Sequence, residues 1–136
     1  QQGIGLGQQA AIQGIEIDGC ITLALVQLAR QDWQEAHTTL QRAAQIAQAL
    51  NLPSIILRVA TFEARLALAR GDWQAAARWA QVNELGADDE LLERMEIEYC
   101  TLARLLIVQR KSKEALRLLN RLLSSAEAAG RSHGQQ

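Results

Sequence analysis

An internal repeat constrains the fold of this 136-residue chain more than any other feature. Residues 28–36 read Leu-Ala-Arg-Gln-Asp-Trp-Gln-Glu-Ala, and residues 68–76 read Leu-Ala-Arg-Gly-Asp-Trp-Gln-Ala-Ala, a shift of 40 positions. A weaker third copy at 102–115 aligns with the second copy at a shift of 39. Periods of this length are typical of stacked supersecondary units, each of which buries an apolar face against its neighbours.

Each copy of the repeat contains two helical segments. The periodicity and the turn residues predict helices at about 16–30, 34–50, 53–70, 74–85, 88–109 and 113–129. Pro53 stands at a first helical position, where its missing N–H is not needed. We expect Asp32 to cap the second helix of the first copy, with Glu35 completing a capping box. Asp72 takes the same place in the second copy, and Ser112 lies nearby in the third.

Small residues recur 12 positions apart in every copy. The pairs are Ala24 with Ala36, Ala64 with Ala76, and Ala103 with Ala115. Alanines at both places let two helices approach closely, because the distance between helix axes follows the side chains at the contact. The composition agrees, since apolar residues make up 49% and aromatic residues only 4%, which suits helices better than strands. We therefore predict an all-α fold, a right-handed α–α superhelix of about three helix pairs.

The two small positions resemble those of a tetratricopeptide (TPR) repeat, although the period exceeds the usual ~34 residues. A longer-period variant is found in the ATP-dependent, LuxR-like transcription regulators typified by MalT. Three stretches are similar to that family: 66–80, 88–104 with its Asp-Asp-Glu before a Glu-Tyr helix, and 114–131. The resemblance covers about residues 20–131. We divide the chain into an irregular lead-in at 1–15, a TPR-like helical repeat domain at 16–131 and a polar tail at 132–136.

The resemblance implies a large cytoplasmic regulator with three functional regions. The TPR-like part would sense a small-molecule inducer or a regulatory protein. ATP and DNA would bind only to flanking modules, a nucleotide switch upstream and a helix-turn-helix downstream. The alternative is a free-standing TPR-like adaptor that grips an extended peptide. Because the chain begins with Gln1 and its single methionine is Met95, we expect a fragment or a processed product.

The concave face of such a superhelix, lined by the first helix of each pair, is the expected binding surface. Its candidate residues would offer donors to an acidic or hydroxyl-rich ligand; they are Arg58, Thr61, Arg65, Tyr99, Thr101 and Arg104. The alternative is that the arginines only pair with neighbouring glutamates. Trp33, Trp73 and Trp79 are expected to pack the seam between repeats, with ligand stacking as the other interpretation.

Several function classes find no support in the sequence. A net charge of −1 does not indicate a nucleic-acid or anionic-membrane partner. We find no signal peptide and expect no membrane-spanning run of about 18 apolar residues. The Gly3–Gly7 segment lacks the Gly-Lys-Ser/Thr ending of a phosphate loop.

The histidines and cysteines match no catalytic or metal pattern either. His37 and His133 stand alone, and Cys20 and Cys100 lie far apart. We expect free, partly buried thiols in a reducing compartment, no cofactor, no metal and no catalysis. A piece of a longer solenoid would expose apolar surface at both ends, so self-association through those ends is expected.

Overall fold

A computed structural model describes residues 6–90 and 95–134. In these ranges the chain forms six helices and no strand, which confirms the predicted all-α class of TPR-like helix pairs. The helices are α1 (Leu6–Ala29), α2 (Trp33–Leu50), α3 (Pro53–Ala69), α4 (Trp73–Val82), α5 (Glu96–Val108) and α6 (Ser112–Gly134). By its contacts the chain divides into two compact units, Gln1–Leu66 and Ala67–Gln136.

Four predicted boundaries differ from the structure, one of them the end of α4, which stops at Val82 and not at 85. Helix α1 begins at Leu6, so 6–15 are helical and not an irregular lead-in, because this Gln- and Ala-rich stretch favours a helix despite its glycines. Helix α6 continues to Gly134, since no proline interrupts it, and most of the expected polar tail is helical. Helix α5 begins at Glu96 and not near 88, because 87–89 form a turn. Residues 1–5, 91–94 and 135–136 lie outside the described part.

The turns that end α1, α3 and α5 lie at equivalent places in the three sequence repeats and share one backbone geometry. Gln31, Gly71 and Arg110 occupy the left-handed region, with φ of 64°, 87° and 64°. In each turn the residue after the left-handed one donates its N–H to the carbonyl five residues before it, at 2.8 Å in all three cases. This is the Schellman arrangement, which satisfies carbonyls left open at a helix end. The three turns are therefore structurally equivalent.

Asp32 and Asp72 occupy the predicted N-cap positions, but only Asp72 makes a side-chain cap bond. The Asp72 carboxylate accepts a hydrogen bond from the Ala75 N–H at 3.2 Å. Asp32 occupies the N-cap position of α2 but makes no side-chain cap bond, and its carboxylate lies 3.9 Å from Arg30 Nε. The capping box with Glu35 is thus wrong. Ser112 is the first residue of α6, one position inside the helix, so it is not the N-cap.

The small positions predicted from the sequence are all interior. The six alanines are at most 4% exposed: Ala24, Ala36, Ala64, Ala76, Ala103 and Ala115. In the first unit α1 packs against α2, and in the second unit α5 packs against α4 and α6. A methyl group at these places admits the close helix approach that a larger side chain would prevent.

Each unit has its own core. In the first unit, Ile17 of α1, Ala43 and Ala47 of α2, and Val59 of α3 form a buried cluster. In the second unit, Leu105 of α5 and Leu118 of α6 are among the largest fully buried side chains. Burying a leucine contributes roughly 1.5–3 kcal/mol, so these contacts hold the helices together.

Candidate interaction surface

The three predicted binding residues of α3 lie in the first unit. Thr61 is fully buried, and its hydroxyl donates to the Leu57 carbonyl at 2.7 Å. The Arg65 guanidinium lies over the Phe62 ring, 5.9 Å from its centroid, an arrangement in which the ring quadrupole attracts the cation. Arg58 and Arg65 are both half-buried. Helix α3 therefore brings two arginines to its surface and keeps the threonine inside.

The three predicted residues of α5 lie in the second unit. Thr101 is fully buried and donates to the Ile97 carbonyl at 2.8 Å, the same bond that Thr61 makes on α3. Tyr99 is 4% exposed, whereas Arg104 is exposed. Threonine hydroxyls inside helices often bond the carbonyl four residues back, so they are not available to a ligand. Of the six candidates, the arginines remain as surface donors, and their binding role stays a prediction.

Tyr99 belongs to a hydrogen-bonded network around Asp89, in the turn between α4 and α5. The Asp89 Oδ2 atom accepts from the Tyr99 hydroxyl at 3.1 Å and from the Gly86 N–H at 2.9 Å. Burial, followed by the hydrogen bond and the negative charge of Asp89, raises the pKa of Tyr99 to about 12. The tyrosine therefore keeps its proton and its bond across the physiological pH range.

Two arginines of α6 also bond to this turn. Arg121 donates to the Ala87 carbonyl and to the Asp89 carbonyl, both at 2.6 Å. Arg117 Nε lies 3.1 Å from an Asp88 carboxylate oxygen. A guanidinium has a rigid fork of donors, so one Arg121 side chain can satisfy two backbone carbonyls. This clamp was not predicted from the sequence. Its signal is the spacing of four between Arg117 and Arg121, which places both on one helix face.

The first unit has polar contacts of its own. The Thr39 hydroxyl donates to Gln27 Oε1 at 2.8 Å and so joins α2 to α1. Burial raises the pKa of the Glu63 carboxyl, and the nearby His37 opposes that change. A small apolar crevice, partly open to solvent, also lies in this unit. Its lining is Ala24, Leu25, Leu28, Ala36, Leu40, Phe62 and Leu66.

The tryptophans and cysteines occupy different environments. Trp79 is buried, which agrees with a packing role, while Trp33 is half-buried and Trp73 is 43% exposed. Ligand stacking on Trp73 stays a prediction. Cys20 and Cys100 are free and half-buried, as expected. Among the described residues, no group of three or more histidine, cysteine or acidic side chains is arranged to hold a metal ion.

The expectation that no segment is long and apolar enough to span a membrane is wrong for helix α1. The segment Ala11–Ala29 has a mean hydropathy of 1.3 and is long and apolar enough, by length and composition alone, to cross a bilayer. Helices that pack inside soluble proteins and signal sequences meet the same criterion. In this structure Glu16 of α1 lies 3.7 Å from Arg42 of α2, and Ile17 is buried in the core of the first unit.

A family model described as the MalT-like TPR region matches residues 1–135. The chain belongs to this family. No curated protein and no solved structure matches it. The MalT-like TPR region is a repeat domain for protein interaction, and repeat domains of this type are generally not catalytic. The match includes the first 15 residues, ten of which are helical in α1, where the quoted resemblance began only near residue 20.

The described residues of this MalT-like TPR region include a group with a structural role. The buried alanines, the Schellman turns and the Asp89 network are structural, because their polar groups bond within the chain. The exposed side chains include Arg104 and the large apolar residues on one face of α1.

Proposed function

We propose that this chain is the effector-sensing and protein-interaction domain of a bacterial, MalT-type, LuxR-like transcription regulator. The observation that supports this proposal is the family match, which extends over residues 1–135. The domain itself is non-catalytic, and the parent protein is cytoplasmic. ATP and DNA bind to flanking domains of that parent, while this domain receives a small-molecule inducer or a regulatory protein.

The proposed mechanism is a shift in population. An effector that binds one form of the domain better than another raises the fraction of the parent protein in that form. Moving the ratio of inactive to active molecules from 99:1 to 1:99 needs a preference of about 10⁴-fold for the active form. A helix-pair repeat suits this task because neighbouring pairs contact each other over a continuous surface, so a small change in one pair alters the next.

The arginines among the candidate residues favour an anionic effector. Arg58 and Arg65 lie half-buried on α3, and Arg104 is exposed on α5. Guanidinium groups bind carboxylates and phosphates through paired hydrogen bonds, which favours an acidic ligand or an acidic protein segment. The Phe62 ring beneath Arg65 restrains that side chain and so lowers the entropy lost on binding.

A free-standing adaptor that grips an extended peptide is the second candidate. The same arginines support it, since acidic peptide motifs are recognised by arginine clusters. The two candidates differ in what they bind. An adaptor binds short acidic peptides and loses affinity as salt rises, whereas a sensor binds a small molecule or a folded regulatory protein.

The test measures binding to the purified 136-residue chain. A library of small metabolites is screened by thermal shift, and a library of acidic peptides is screened by fluorescence anisotropy at low and high salt. A sensor shows saturable stabilisation by a metabolite, because a ligand that binds only the folded state raises its stability. Stabilisation by no metabolite, together with salt-sensitive binding of short peptides, would replace the sensor with the adaptor.

Variants test the candidate arginines one unit at a time. Arg65→Ala in the first unit and Arg104→Ala in the second are measured separately, and the substitution of an arginine that contacts an acidic ligand is expected to weaken binding at least tenfold. The matched controls are Arg70→Ala and Arg78→Ala, each of which removes the same charge from an exposed arginine outside the candidate set. If neither Arg65→Ala nor Arg104→Ala binds more weakly than the controls, these arginines do not contact the ligand.

A further inference from the structure

The apolar crevice of the first unit is formed by three consecutive helices. Its seven lining side chains come from α1, α2 and α3, and all of them are apolar. Five of the seven are at most 8% exposed, whereas Leu25 is 42% exposed, so Leu25 lies at the opening. Because this chain supplies every wall, the crevice forms without a contribution from another segment.

The small-residue pair of the first repeat explains why there is a concavity at this place. Ala24 and Ala36 both line the crevice, and their short methyl groups leave space that the larger side chains of Leu40 and Phe62 border. Concavities lined only by apolar atoms are poorly hydrated and admit apolar groups of ligands. A hydroxyl or amide group placed there would lose its bonds to water without gaining a partner. The crevice therefore selects an apolar group.

A positive charge lies beside one wall of the crevice. The Phe62 ring lines the crevice, and the Arg65 guanidinium lies 5.9 Å from the centroid of that ring. The attraction between the cation and the ring restrains the arginine side chain. A guanidinium has five N–H donors, so it can bond to a ligand carboxylate in addition to groups of the chain.

The nearest acidic residue in sequence does not oppose an anion at this place. Glu63 lies two residues before Arg65, which puts the two side chains roughly 160° apart around α3. Leu66, by contrast, lies four residues after Phe62 and on the same helix face, and both line the crevice. An apolar concavity and an adjoining cation are thus joined on one side of α3.

We propose that the crevice and Arg65 together bind a small organic acid with an apolar tail. The tail, a short alkyl or aryl group, enters the crevice, and the carboxylate bonds to the Arg65 guanidinium. The inference rests on the proposed sensor function and names the chemical class of its effector. A sugar does not match this site, because its hydroxyl groups would lose their water against apolar walls.

The first test titrates the 136-residue chain with hexanoate at neutral pH and follows its isotope-labelled methyl groups by NMR. Methyl signals of Leu25, Leu28 and Leu40 are expected to shift with one saturable dissociation constant, while those of Leu105 and Leu118 stay unchanged. Hexanamide has the same tail without the charge and is expected to bind about tenfold more weakly. Equal shifts of all these methyl groups, or equal affinities for the acid and the amide, would overturn the proposal.

The length of the tail gives an independent measure of the crevice. In the series from butanoate to octanoate, affinity should rise roughly fourfold for each methylene group that enters the crevice. The rise should stop once the crevice is filled and further carbons extend into solvent. Affinity that does not depend on tail length would show that the tail does not enter an apolar site.

The second test changes the two ends of the site separately. Arg65→Gln should weaken binding of hexanoate about fivefold or more and leave hexanamide unchanged, while the exposed Arg70→Gln is the matched control. Leu25→Glu places a negative charge at the opening and should abolish hexanoate binding. Leu23→Glu is its control, because Leu23 is 50% exposed on the same helix and outside the lining. With folding checked by circular dichroism, variants that bind like their controls would rule out the site.

The same titrations separate this inference from the proposed function. A metabolite of another class that stabilises the chain without shifting the crevice methyl groups would overturn the organic-acid site and leave the sensor proposal in place. Acidic peptides with a neighbouring leucine that shift these methyl groups, where alkanoates do not, would also overturn it and favour the adaptor. Saturable shifts with hexanoate that Arg65→Gln weakens and Arg70→Gln does not are the result that the proposal predicts.

Discussion

Removing the Tyr99 hydroxyl is the most informative single change in the second unit. Tyr99→Phe keeps the buried ring but deletes the bond to Asp89. Hydrogen bonds to charged groups contribute about 1.5–3 kcal/mol net. Asp89 is half-buried and still accepts from the Gly86 N–H, so the loss should lie at the lower end of that range. We expect destabilisation of about 1.5 kcal/mol, roughly tenfold in the unfolding equilibrium constant.

Urea unfolding followed by circular dichroism at neutral pH measures this loss. Thr101→Val is the control, because it also removes a buried hydroxyl from α5 but one that bonds only to a helix carbonyl. We expect the control to cost less than about 1 kcal/mol. If Tyr99→Phe is as stable as the parent chain while Thr101→Val is not, the bond to Asp89 does not stabilise the turn.

The chain has a single tyrosine, so its ionisation can be followed directly. Tyrosinate absorbance should titrate with a pKa of about 12 in the folded chain and near 10.0 in urea. Because the folded state keeps a proton that the unfolded state loses, stability falls as the pH rises from 10 to 12. Tyr99→Phe should remove that dependence. A folded-state pKa near 10 would contradict the buried network.

Three further predictions concern stability. Leu105→Ala should cost about 2–5 kcal/mol in urea unfolding, while the exposed Leu116→Ala costs less than about 1 kcal/mol; equal costs would place the core elsewhere. Gln31→Gly should stabilise the chain by about 0.5–1 kcal/mol, because Gln31 has φ of 64°, a left-handed conformation that glycine adopts without strain. A less stable variant would show that the backbone of Gln31 is not strained. Glu63→Gln should stabilise the folded chain by less than about 1 kcal/mol at neutral pH, because burial raises the pKa of the Glu63 carboxyl and so disfavours its charged form. Below pH 4.5 the carboxyl is protonated in both states, and the gain should vanish. A gain in stability that persists at acid pH would show that burial of the charge is not its cause.

The repeated features of the fold could be predicted from the sequence. The 12-residue alanine spacing identified six interior positions, and the 40- and 39-residue shifts located three equivalent turns. Repetition makes these features visible, because three copies with the same residue type at the same place seldom arise by chance. The beginning of α1 was missed because glycines suggest irregular structure, although this Gln- and Ala-rich stretch remains helical.

The polar network around Asp89 could not be predicted from spacing alone. Its members come from the α4–α5 turn, α5 and α6, and the Arg121 bonds to that turn span more than 30 residues in sequence. The threonine candidates failed for a local reason. Thr61 and Thr101 look like surface donors in a sequence, yet each bonds the carbonyl four residues before it and lies inside. Sequence register located the helix faces but did not determine which polar groups are already bonded.

The size of the native protein tests the central claim most directly. Cells that express the natural gene are analysed by denaturing gel and immunoblot, with an antibody raised against this 15.0 kDa chain. The regulator proposal predicts one band several times larger than the chain, as a protein with flanking ATP- and DNA-binding domains requires. A single band near 15 kDa would contradict the regulator and leave a small TPR-like adaptor.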